Sequence, residues 1–192
     1  VAGTVRTSHP TFVYVGRLKR YKGVDLAIRA LAVARRTRPD LRLCIAGGGD
    51  HRPELEALTG ELGQRDAVQF LGFVSEEAKL ALFRTAGANL FPSPKAGWGI
   101  TVVEAASCGT PSLASDSPGL RDSVRHGETG YLVTHGDVGG LAARMLELAA
   151  DPALVERLGA NGRRQAEQLS WDAAALATEA HLDELIHAPR RR

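Results

Sequence analysis

Apolar residues along this chain alternate between short continuous runs and longer stretches spaced like one face of a helix. The run TFVYV at 11–15 reads as a buried strand and ends at Gly16. Over 23–36, Val24, Leu26, Ala27, Ala30, Leu31 and Ala34 share a helical face, and Pro39 closes the region. LRLCIA at 41–46 is the next strand, followed by three glycines, and Pro53 suits the first turn of a helix reaching 62. The cycle repeats with a strand over 68–71 and a helix to 84 that Ser75 caps, Glu76 and Glu77 lying at its positive end. A strand over 88–91, a helix over 101–108, a strand over 111–114, a short helix at 120–125 and a strand over 130–133 follow. The pattern then turns helical over 138–150, 152–168 and 171–186.

Strands alternating with helices at these lengths predict an α/β domain, a Rossmann-like doubly wound parallel sheet with a helical C-terminal tail. Residues 1–192 read as one domain, with no long linker or internal repeat. In such sheets the ligand sits beyond the carboxyl ends of the strands. The glycine-rich turns after Val15, after Ala46 and around Gly97 all fall at such ends.

Composition narrows the classes. The 192 residues are 44% hydrophobic and 24% charged, ordinary for a globular protein, and the formal charge of +2 gives no long-range pull toward nucleic acid. No apolar stretch nears the roughly 18 residues that span a bilayer, so no integral membrane segment is expected. Cys44 and Cys108 read as buried free thiols, which fits a cytoplasmic setting. The chain opens on Val1 with no signal peptide, as a fragment would.

Candidate chemistry gathers at three places. Gly16-Arg17 follows the first strand and Lys22-Gly23 opens the first helix. A guanidinium fork, an ammonium and a helix start suit a diphosphate, although Arg17, Lys19, Arg20 and Lys22 also fit a solvated basic loop. Gly47-Gly48-Gly49-Asp50 is not a dinucleotide fingerprint, because Arg52 stands where the last glycine belongs, and a tight strand-to-helix turn needs glycine anyway. Residues 92–111, PSPKAGWGITVVEAASCGTP, place Gly97, Trp98 and Gly99 ahead of a helix, with Ile100 and Thr101 at its start and Glu104 one turn in. That carboxylate suits a ribose diol; taken alone it also fits an exposed helical residue. The six histidines show no metal-ligand spacing, and no metal site or cofactor is expected.

In order, YVGRLKRYKGVDLAIRAL, LRLCIAGGGD, VQFLGFVSEEAKLALFRTAGANLFPSPKAGWGITVVEAASCGTPSLASDSPGL and HGETGYLV resemble family 4 of the retaining glycosyltransferases, covering most of residues 12–134. The resemblance implies a GT-B enzyme with two Rossmann-like domains facing across a cleft, this chain being the C-terminal, donor-binding one. It also implies a UDP- or GDP-sugar as substrate. The helix at about 171–187 would pack on the enzyme's own N-terminal acceptor domain. Carried over by motif, Arg17 and Lys22 are the catalytic pair that clamps the donor diphosphate. Glu104 holds the ribose hydroxyls, Gly97 to Thr101 meet sugar and phosphate, Phe73 and Val74 lie by the base, and Gly16 and Gly48 border the site. One position departs: the family's first glutamate, seven residues ahead of the second, is Ala96 here, which cannot accept bonds from the sugar. Lys95 does not replace it, since an ammonium only donates. Two other readings stay open at this point, a non-catalytic nucleotide-sugar- or polyphosphate-binding module and, less well, an NAD-dependent oxidoreductase domain.

Overall fold

A computed structural model describes residues 9–95 and 97–187. The chain runs β1 (Thr11–Val15), a 3-10 turn at Arg20–Lys22, α1 (Val24–Ala34), β2 (Arg42–Ala46), α2 (Arg52–Glu61) and β3 (Val68–Gly72). It continues through α3 (Glu76–Thr85), β4 (Ala88–Phe91), α4 (Ile100–Ser107), β5 (Ser112–Ser115), α5 (Pro118–Ser123) and β6 (Gly130–Val133). The last elements are α6 (Val138–Ala150), α7 (Pro152–Glu167) and α8 (Trp171–His187). All strand pairs are parallel, in the order β3-β2-β1-β4-β5-β6. This is the doubly wound arrangement, with its direction of growth reversing between β1 and β4.

Side chains of β1 show how the sheet is covered. Phe12 and Tyr14 join the larger core with residues of α1, α2 and α6, while Val13 joins Phe83, Ala86, Ala105 and Cys108 on the opposite face. Strand residues buried from both sides become continuous apolar runs, which is why TFVYV does not alternate. Helix starts are fixed locally: Ser75 accepts from the Ala78 amide at 3.2 Å, Asp137 from Gly140 at 2.8 Å and Asp151 from Leu154 at 2.9 Å. Cys108 is buried as expected, but Cys44 is only half-buried, because α3 packs over β1 and leaves part of β2 open.

α7 packs chiefly on α4 and touches α6 and β6. Its Leu154, Val155 and Leu158 enter the larger core, and Gly159 lies so close to the Gly109 carbonyl that any Cβ there would collide with it. Backbone cannot yield as a flexible side chain can. Gly159→Ala should therefore destabilise the fold by about 1–3 kcal/mol, the range for overpacking. Gly139→Ala, on the exposed side of α6 where the added methyl meets ordinary contact distances, should instead be neutral or stabilise by about 0.5–1 kcal/mol. Urea denaturation of the two variants checks both signs.

Candidate functional site

The crevice at the reversal point is built from the strand exits. After β1 the chain runs beside the exit of β2: Gly16 N–H donates to Ala46 O at 3.0 Å, Leu18 N–H to Gly48 O at 2.8 Å and His51 N–H to Leu18 O at 3.1 Å. Gly47 and Gly49 make this possible, since a Cβ at either would collide with the Gly16 or Leu18 carbonyl. A Cβ at Gly48 would meet nothing within 4 Å, so that glycine alone faces open space. Two glycines of the run thus serve backbone packing, and one borders the crevice.

The β1 exit is held from beneath. Buried Tyr14 donates its hydroxyl to the Arg17 carbonyl at 2.9 Å. Burial, together with neighbouring Tyr21, pushes this phenol well above its ordinary range, so it stays a neutral donor. The Arg17 side chain is exposed, and its Nη2 donates to the Tyr21 hydroxyl at 3.1 Å. Lys22 is half-buried, its ammonium 5.1 Å from the Tyr21 ring centre and 5.6 Å from that of Phe91 at the end of β4. Among the described residues neither cation has a carboxylate partner. Tyr21 therefore orders both of them without neutralising either.

The β4 exit meets the β1 exit directly. Gly23 has φ 68°, and a Cβ there would stand 2.6 Å from the Pro92 carbonyl oxygen. His135, after β6, places Nδ1 3.1 Å from that same oxygen and 3.3 Å from Ser115 Oγ, joining the exits of β4, β5 and β6. Ser93 donates to the Lys95 carbonyl at 2.8 Å. Ala96 lies outside the described residues. Gly97 is exposed and open, Trp98 is 39% exposed, and Gly99, at φ 79°, begins α4 with no side chain capping its free amides. Ile100 beside it is 69% exposed.

The first turns of α4 carry two buried polar atoms with no hydrogen-bond partner among the described residues, Thr101 Oγ1 and Glu104 Oε2. They share a helix face. The other oxygen of Glu104, Oε1, accepts from Lys79 of α3 at 2.8 Å. Phe73, beyond β3, is 94% exposed and Val74 is half-buried next to it.

Every residue expected at the site and described here is thus at a carboxyl end of β1 to β4 or on the first turns of α4. Lys79, Tyr14, Tyr21 and His135 escaped sequence reasoning. Lys79 alone left a usable signal: it sits four residues before fully buried Phe83, so it is a charge on the inward face of its helix. A groove of about 610 Å³ lies beside the crevice, walled by α1 and α2 and by Arg20, Tyr21 and Gly23 rather than by Arg17 or Glu104. Among the described residues no cluster of three His, Cys, Asp or Glu could hold a metal ion, and no helix is long and apolar enough to cross a membrane.

Residues 3–165 match the family described as glycosyl transferases group 1. The chain belongs to that family. It is 36% identical over 189 residues to a D-inositol 3-phosphate glycosyltransferase of Streptomyces avermitilis, covering 94% of this chain and 41% of the relative. Among solved structures it resembles sucrose-phosphate synthase from Thermosynechococcus elongatus, with a TM-score of 0.84 and 33% identity over 95% of this chain and 47% of that one. It also resembles HepE of Anabaena in complex with UDP-glucose, with a TM-score of 0.78 and 25% identity over 90% of this chain and 47% of that one. The chain therefore spans less than half the length of these relatives.

The contact between Tyr14 and the Arg17 carbonyl gives a direct test of how the turn after β1 is held. Tyr14→Phe keeps the ring and strands a carbonyl. It should lower stability by about 1–3 kcal/mol, read as a shift in the denaturant midpoint at unchanged slope.

Proposed function

We propose that this chain is the donor-binding half of a retaining glycosyltransferase, taking a UDP- or GDP-sugar and acting with an N-terminal acceptor domain in the cytoplasm. The observation that carries the reading is Glu104 Oε2, a buried acceptor without a donor among the described residues, one turn inside a helix whose start is open to an anion. A ribose hydroxyl supplies the missing donor.

On this reading Arg17 and Lys22 grip the diphosphate and stabilise the charge that builds on the departing nucleotide. Two preorganised cations perform that task with no metal in attendance. The amides near Gly97, Gly99, Ile100 and Thr101 meet phosphate and sugar, Phe73 and Val74 take the base, Gly48 leaves the backbone low at the rim, and Gly16 borders the site with its Cα turned toward the Tyr14 hydroxyl. HepE, a similar structure, was solved with UDP-glucose, which supports a nucleotide-sugar ligand here. α8 fits the docking of a second domain: Leu176, Leu182, Leu185 and Ile186 are each more than half exposed along it. The two cysteines are free thiols, in keeping with a reducing compartment.

Ala96 favours a second reading, a non-catalytic binding module. A missing carboxylate at the sugar would leave nucleotide binding intact while weakening transfer.

Calorimetry with UDP and GDP, with and without chelator, tests the site. Arg17→Ala and Lys22→Ala should each cost about 2–5 kcal/mol of affinity, at the lower end because half a cleft stays wet. Ligand-free stability should hardly change, and binding should survive chelation. Parallel losses of stability and affinity would assign both residues to the fold, and binding abolished by chelator would overturn the metal-free clamp.

Ala96→Glu separates the two readings. In the two-domain protein it should leave affinity for the bare nucleoside diphosphate unchanged and strengthen binding or turnover of the nucleotide sugar. Each recovered charged hydrogen bond contributes about 1.5–3 kcal/mol. An equal effect on both ligands, or on neither, removes Ala96 from the sugar site.

A further inference from the structure

We propose that Lys79 is a positioning residue for nucleotide recognition. By holding Oε1 of Glu104, it presents Oε2 alone to the ribose hydroxyls. The inference rests on the role given to Glu104 above.

Three observations converge. Lys79 reaches across from α3 to α4, donating to Glu104 Oε1 at 2.8 Å and to Glu76 Oε2 at 2.7 Å, with only 12% of its side chain exposed. The two carboxylates differ sharply: Glu76 is 83% exposed and Glu104 30%. The ammonium is thus pinned from the solvent side by Glu76 and directed inward at Glu104. Finally, Oε2 of Glu104 is buried with no donor among the described residues, and so is the hydroxyl oxygen of Thr101 on the same face of α4.

An ion pair that served only to fasten α3 to α4 would gain nothing from a buried acceptor left unmade, which destabilises the fold. A site that must accept a hydroxyl gains from it, because the acceptor is fixed before the ligand arrives. Without Lys79, nothing among the described side chains would hold this part-buried carboxylate in one orientation. Burial lowers the affinity of the ammonium for its proton, but the bonds it donates to Glu104 and Glu76 outweigh this and hold its pKa above the ordinary lysine value. The ammonium is therefore charged throughout the neutral range.

The discriminating readout is the preference for ribose over 2′,3′-dideoxyribose, which loss of fold stability does not alter. Dissociation constants for UDP and GDP and their 2′,3′-dideoxy forms are compared in the parent chain, Lys79→Met, Lys79→Gln and Lys79→Arg. The parent should prefer the ribose form by about tenfold, the equivalent of one hydrogen bond to a charged group. Lys79→Met or Lys79→Gln, whichever folds, should reduce that preference to within about twofold and leave dideoxy affinity unchanged. Lys79→Arg, which still offers a charged donor, should restore part of it. In a Glu104→Gln background, Lys79→Met should change the preference no further. A preference that survives in Lys79→Met or Lys79→Gln overturns the proposal, as does an equal loss for ribose and dideoxy ligands. A parent that binds neither UDP nor GDP overturns the functional reading and this role with it. A parent that binds without ribose preference removes Glu104 and Lys79 from recognition and leaves the diphosphate clamp standing.

Discussion

The contact on which this structure turns is the approach of two strand exits, Gly23 against the Pro92 carbonyl oxygen. β1 and β4 are neighbours in the sheet, yet the chain leaves them toward opposite faces, to α1 and to α4. That divergence opens a crevice at the carboxyl edge. Gly23 lets the walls close at its base, since its left-handed backbone and missing Cβ admit the Pro92 oxygen at a spacing no other residue tolerates. Lys22 immediately precedes this contact and Phe91 immediately precedes Pro92, which is how an ammonium from one exit comes to lie over a ring at the other. His135 then braces the same oxygen from β6.

Most of the fold was legible because each element is encoded locally. β1, β4, β6 and α6 begin and end where the apolar pattern placed them. Other boundaries moved by a residue or two, as α5 did, which starts at Pro118 because proline is preorganised for a first turn. The 3-10 turn Arg20–Lys22 was not expected: three consecutive long polar or aromatic residues carry no helical apolar face, and the turn is closed by the left-handed Gly23 instead. The thiol of Cys44 is half-exposed for a similar reason, since which part of a sheet a helix covers is decided by tertiary packing.

The candidate site divides along the same line. Arg17, Lys22 and Glu104 stand in short motifs whose chemistry can be read in place. Tyr14, Tyr21, His135 and Lys79 act by touching something else: a backbone carbonyl, a guanidinium, a neighbouring exit, a carboxylate 25 residues away. No local pattern records such contacts. The glycine run shows the converse. Its composition offered a tight turn or a ligand approach, and the fold assigns Gly47 and Gly49 to the first purpose while leaving Gly48 facing open space.

The charges at the crevice follow one logic. On the β1 side Arg17 and Lys22 are ordered by an aromatic ring and a hydroxyl, partners that hold a cation in place and leave its charge unspent. On the α4 side Lys79 is shared by Glu104 and the solvent-exposed Glu76, so it offsets part of the charge that would oppose them. The crevice is left net positive beside two helix starts without side-chain caps, α1 and α4, an arrangement that favours a dianion over a neutral ligand. Such attraction is weak while one side of the crevice is open to water, because solvent screens it. Covering the crevice strengthens every one of these interactions at once, with no new residue on this chain. On the proposed reading, that cover is the second domain, and the exposed Leu176, Leu182, Leu185 and Ile186 of α8 are apolar surface for it to bury.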